Sequence, residues 1–206
     1  MITFGLLVLF VIGFVFYILY SLFYNAFVEV GFSRWEASLI VFGSIIFGLV
    51  DIPLFVYRNW VIAINVGGAA IPVAISIYLM AKKKFVWTAV AGIILVSLIT
   101  YNVTEVSSKG VTSSFPLWLM PPIIASIYSM MASYKKPKRA APLAYVAGTL
   151  GVLIGADFLH MPEILGTPAS HRIVASIGGA SIFDMVFLAG IIAVLVDSLF
   201  ILKRQA

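Results

Sequence analysis

Five side chains stand out because their types are costly where they lie. Asp51, Asp157 and Asp184 each interrupt an apolar stretch, and Asn65 and Asn102 do the same. An ionised carboxylate in hydrocarbon is expensive, so such residues usually face a bundle interior or a water-filled cavity. Carboxylates that share a dry site cannot all ionise. A group of this kind can carry a proton, accept a cation or act as a general acid. The plainer reading of any one of them is a helix cap or a bond to a neighbouring helix. Three at one depth favour a site.

The segments around these residues are interrupted. Asp51-Ile52-Pro53, Gly67-Gly68 with Pro72, Pro116 with Pro121-Pro122, and Gly178-Gly179 all weaken a regular helical ladder. Pro53, Gly67, Gly68, Pro72, Gly178 and Gly179 are therefore read as structural hinges. Freed carbonyls and half-helix ends can bind ions or substrate where they line a cavity. Close helix packing is the alternative use of small residues, and for the Gly-Gly pairs it is the better one.

Composition dictates what must position these groups. Of 206 residues, 63% are hydrophobic and 10% charged, against roughly 25% charged in an ordinary soluble domain. Such a chain belongs in lipid, where exposed apolar side chains are favourable and stray charges are not. The expected fold is all-α and polytopic, a single integral membrane domain over residues 1–206. Seven helices are expected at 4–24, 36–57, 60–81, 85–104, 115–133, 142–160 and 176–202, each near the ~20 residues that span hydrocarbon. The second and third would form a tight helical hairpin across Tyr57-Arg58-Asn59. The first replaces a cleavable signal peptide, since it lacks a basic leader and is too long.

Charge sets the orientation. With the N-terminus outside, inner loops hold Arg34, Lys82, Lys83, Lys84, Lys135, Lys136, Lys138, Arg139, Lys203 and Arg204, and the outer side holds only Arg58, Lys109 and Arg172. This is the positive-inside pattern, with the C-terminus inside. It also accounts for the net charge of +5 without nucleic acid. At ~1.5 Å per residue, Asp51 and Asp157 would lie about 22 Å above the inner surface, and Asp184 about 12 Å below the outer one. Asn65 and Asn102 fall near the same layer.

Residues 64–76 and 175–187 resemble each other. Gly67-Gly68-Ala69 aligns with Gly178-Gly179-Ala180, and Gly48-Leu49-Val50-Asp51 resembles Gly155-Ala156-Asp157. Repeats over 1–81 and 115–206, joined by a linker helix at 85–104, would make a parallel 3+1+3 arrangement with its site near the midplane. Chance recurrence of common membrane residues is the alternative.

Other features carry less. With no cysteine, disulfides, thiolate metal sites and a cysteine nucleophile are excluded. His160, Glu163 and His171 lack a recognised ligand spacing, so no metal and no cofactor are expected. Asn102-Val103-Thr104 fits a glycosylation pattern but sits at the membrane edge. Lys135-Lys136-Pro137-Lys138-Arg139 could attract anionic lipid, though an ordinary inner loop accounts for it.

The segment from Tyr145 to Leu159 with its Gly155-Ala156-Asp157, followed by Ser176-Ile-Gly-Gly-Ala-Ser-Ile-Phe-Asp184, resembles a family of small prokaryotic membrane proteins of unknown function. The stretch Ile64–Leu79, with Asn65-Val-Gly-Gly, shares the resemblance, which covers the last two-thirds of the chain. It implies a polytopic fold and no particular activity. Ile154-Gly155-Ala156-Asp157 is also similar to the Gly-x-Gly-Asp motif of intramembrane aspartyl proteases, with Phe183-Asp184 in the place of the presenilins' Tyr-Asp. The first glycine is replaced, alanine precedes the aspartate, the aspartate order is reversed, and Ala70-Ile71-Pro72 matches Pro-Ala-Leu poorly.

Three functions follow as expectations for a multi-pass cell-membrane protein. The first is a small transporter or ion- or proton-conducting protein, with Asp51, Asn65, Asn102, Asp157 and Asp184 at the site and a small solute, ion or proton as its partner. The second is an intramembrane aspartyl protease using Asp157 and Asp184 as catalytic residues. The third is a non-catalytic membrane subunit. Homo-oligomerisation is compatible with all three.

Overall fold

A computed structural model describes residues 2–107, 110–168 and 171–205, with side chains over 5–107, 110–168 and 171–200. The chain is mostly helical. Helix α1 (Ile2–Val30) turns at Gly31 into α2 (Arg34–Phe47). Ser33 starts α2 with a capping box: its hydroxyl accepts from the Glu36 amide at 3.3 Å, and its own amide donates to Glu36 Oε2 at 2.7 Å. That reciprocal pair satisfies two amides a helix start leaves open. After β1 (Asp51–Tyr57) and β2 (Trp60–Asn65), a π-helical turn over Val66–Ala70 leads into α3 (Ile71–Lys83), and α4 (Val86–Val103) returns. A small hairpin, β3 (Glu105–Ser107) and β4 (Gly110–Thr112), precedes α5 (Met120–Ala132). Helix α6 (Ala140–Val152) continues through a π-helical segment, Leu153–Phe158, into the short α7 (Met161–Gly166). Strand β5 (Ile173–Ile177) and a 3-10 turn lead to α8 (Met185–Gln205).

Helix α6 is the hub, packing against α4, α5 and α8 and also touching α1 and α3. Among the described residues, four helical stretches are long and apolar enough to cross a bilayer: Gly5–Val30, Val66–Lys83, Val86–Val103 and Pro137–Gly166. Leu117–Ala132 and Met185–Phe200 are apolar but shorter. Most of α1 projects its apolar side chains outward, as lipid contact requires.

Several expectations change. The fold is not all-α, because β1, β2 and β5 form one sheet: β1 pairs antiparallel with β2, and β2 pairs parallel with β5. The expected helices at 36–57 and 60–81 give way to α2, a β-hairpin and α3. Gly48 ends α2, and Pro53 and the β-branched and aromatic residues beyond it suit a strand. Arg58 takes a φ of +51° in the two-residue turn, so the helical hairpin across Tyr57-Arg58-Asn59 is a strand hairpin. Asp51 therefore opens a strand and does not sit deep within a helix. The expected span at 176–202 likewise starts late, because β5 and the turn at Gly178, whose φ is +73°, occupy its first part.

The two resembling segments lie side by side. Each Gly-Gly-Ala follows a strand and precedes a helix, and Ala63 of β2 faces Ser176 of β5. A Cβ at Gly68 would collide with the Gly178 carbonyl, and one at Gly67 with Ser44 O and Gly48 of α2. Small residues here bring three backbones together, the packing use of glycine.

Candidate functional site

The sheet caps the end of the bundle where α2 stops and α8 begins, and two polar groups form there. The first is a closed knot. Asn65 is buried and uses its whole amide: Nδ2 donates to Gly48 O at 2.8 Å and to Asp51 Oδ1 at 3.0 Å, and Oδ1 accepts from the Gly68 amide at 2.8 Å. Ser176 Oγ of β5 donates to the same Asp51 oxygen at 2.5 Å. These bonds join the end of α2, strands β1 and β5 and the π turn. Asp51 and Asn65 are thereby occupied in holding the sheet to the helices.

The second group is open. Asp157 stands on the π-helical segment Leu153–Phe158, where one extra residue per turn re-aims the side chains; such bulges recur at functional sites. Asp184 starts α8: Oδ1 accepts from the Val186 amide at 2.9 Å, Oδ2 accepts from the Ala180 amide at 3.3 Å, and its carbonyl accepts from Leu188. It serves as the cap of that helix. The two carboxylates are close enough to act on each other electrostatically. Among the described residues, Asp157 makes no side-chain hydrogen bond.

Both carboxylates line a cavity of about 460 Å³ walled by β2, β5, the β3–β4 hairpin and α7. A second space of about 380 Å³ also contains both and descends between α6 and α8 to Val152 and Leu188. Two carboxylates facing one cavity repel unless a proton or a cation stands between them. The arrangement can therefore hold a cation, share a proton or polarise a water.

The remaining expected residues lie elsewhere. Asn102 donates to Leu98 O of its own helix at 2.7 Å and is exposed. His160 is buried, contacts Thr104 Oγ1 at 3.0 Å and Glu163 Oε2 at 3.1 Å, and stacks on Tyr101. No group of three or more metal-ligating side chains occurs among the described residues. Lys109 lies outside them.

One acidic residue escaped the sequence reading although the same signal marks it. Asp197 interrupts Val-Leu-Val on α8 and is fully buried. Ser129 Oγ of α5 donates to its Oδ1 at 3.2 Å, while Oδ2 has no partner among the described residues. Glu29 of α1 is near enough to act on it electrostatically.

No curated protein and no solved structure matches the chain. A family model does, over residues 10–196, and its description shares with the first of the two resemblances only that the function is unknown. With that match running from α1 through both carboxylates into α8, the chain belongs to the family described as Protein of unknown function (DUF1614).

Proposed function

We propose that this membrane protein is a small transporter or ion-conducting protein whose Asp157–Asp184 cavity binds a cation or proton. The observation that carries the reading is a pair of carboxylates facing one cavity, with Asp157 free of hydrogen bonds among the described residues. A carboxylate left without donors in apolar surroundings is costly unless a cation or proton is supplied. Asp184 can contribute while capping α8, because each oxygen keeps a lone pair beyond its single amide bond. The basic turns at the opposite end, Lys82–Lys84 and Lys135–Arg139, favour a multi-pass protein with that end in the cytoplasm and the cavity outside.

The test is cation and proton flux in proteoliposomes. Asp157→Asn and Asp184→Asn remove the charges, and asparagine preserves the cap of α8. Both variants should lose flux. Full flux in both would sink the reading.

A second reading has one observation in its favour. Strand β1 is an exposed edge of the sheet whose other two strands wall the cavity, and an extended peptide could add to it. An intramembrane aspartyl protease would bind substrate there and share a water between Asp157 and Asp184. The double backbone capping of Asp184 fits this less well than it fits ion binding. Cleavage of a single-span substrate, lost in Asp157→Asn, would establish it, and carboxyl groups more than about 8 Å apart would exclude it.

A further inference from the structure

Below the cavity, the bundle holds buried polar atoms that no described residue satisfies. Thr149 Oγ1 and Tyr145 Oη of α6, Ser126 Oγ of α5 and Asp197 Oδ2 of α8 are each buried without a hydrogen-bond partner. The Tyr145 hydroxyl lies near that of Thr149 without meeting hydrogen-bond geometry. Native structures keep such groups few, and an internal water is the usual partner.

Packing at Gly190 places Thr149 and Tyr145, and helical rise gives the depths of the others. Gly148 lies against Ala189 and Gly190, and Gly190 against both Thr149 and Tyr145. The second cavity ends at Val152 and Leu188, about one turn of α6 above Thr149. Tyr145 is one turn below Thr149. Helices α5 and α8 run in the same direction, so Ser126 stands about 4.5 Å nearer the cavity than Ser129, which bonds Asp197. Counted by helical rise from Asp157 and Asp184, Thr149 lies about 12 Å down, Ser126 and Tyr145 about 15–18 Å, and Asp197 about 20 Å. Glu29 of α1, exposed, is near enough to act on Asp197 electrostatically.

We infer that this seam between α5, α6 and α8 is a proton path joining the Asp157–Asp184 cavity to Asp197. It rests on the ion-conducting reading above and names the ion. Hydroxyls and single waters pass a proton by accepting one and donating another, so no group changes its net protonation. A metal cation would need several oxygen ligands at each stage, whereas each level here offers one or two hydroxyls. The spaces end at Val152 and Leu188, so beyond them only proton hopping, with waters between hydroxyls, can continue.

The experiment uses the full chain in liposomes with a trapped pH dye and a potassium–valinomycin potential, and sodium flux is followed in parallel. Thr149→Val removes a hydroxyl without changing shape, Thr149→Ser keeps it, and Asp197→Asn removes the acid. Proton entry should fall about tenfold, a 1.4 kcal/mol rise in barrier, in Thr149→Val, Asp197→Asn and Asp157→Asn, and persist in Thr149→Ser. Ser126→Ala carries the same expectation should Asp197→Asn fail to fold. Wild-type proton flux that stops in Asp157→Asn but continues in Thr149→Val and Ser126→Ala overturns the path and leaves the cavity reading standing. Sodium flux without proton flux does the same. Absence of both fluxes in the wild type overturns both.

Discussion

Replacing Asn65 by alanine tests whether the knot at the sheet end holds the fold. Asn65 is 1% exposed and makes three hydrogen bonds, to Gly48 O, Asp51 Oδ1 and the Gly68 amide. Hydrogen bonds within membrane proteins average about 0.6 kcal/mol, and in soluble proteins about 1 ± 0.5. Three bonds then contribute about 2–4 kcal/mol. The buried Gly68 amide, left without an acceptor, pushes the loss toward the upper figure. Asn102→Ala is the control, since its single bond is exposed and local, and should stay within about 0.5 kcal/mol. The assay is reversible unfolding in mixed micelles, and Asp51→Ala completes a double-mutant cycle with Asn65→Ala. Asn65→Ala as stable as Asn102→Ala, or no coupling between Asn65 and Asp51, would refute the assignment of this group as a structural lock.

Two further outcomes follow from local geometry. Gly68→Ala drives a Cβ into the Gly178 carbonyl, a backbone atom that cannot swing away, and should cost about 1–3 kcal/mol or prevent folding; Gly43→Ala, whose Cβ meets nothing, should be neutral or stabilising by up to ~1 kcal/mol in the same unfolding assay. Bonds from the Ser33 amide and hydroxyl hold the Glu36 carboxyl below its ordinary value of 4.5. Because the folded form is the more acidic, the start of α2 should be fully protected above that value and lose protection as pH falls through the lowered one. Amide exchange at Ser33 measures this, and Glu36→Gln should abolish the pH dependence.

The membrane class was legible without any structure, because 63% apolar and 10% charged residues leave no route to a soluble surface. So were α1, α4, α5 and α6, whose apolar runs are long enough to admit little but helix. The charge pattern singled out Asp157 and Asp184, and both meet at one cavity. It marked Asp197 equally, yet that residue sits near a predicted inner end, where a carboxylate in the sequence attracts less notice.

Tertiary structure alone decided the sheet. Residues 52–57 and 60–64 are apolar runs broken only by Arg58-Asn59, and an apolar run lacks the periodicity that separates helix from strand. What turns them into strands is a distant partner: β5 pairs with β2 from the far side of the sequence, and Ser176 and Asn65 hold Asp51 at the seam. Asp51 and Asp157 carry the same signal in sequence, a carboxylate in an apolar run, and part company only in space. One accepts from donors on β2 and β5. The other is left facing a cavity, because the π-helical segment that carries it re-aims its side chain and no donor among the described residues reaches it.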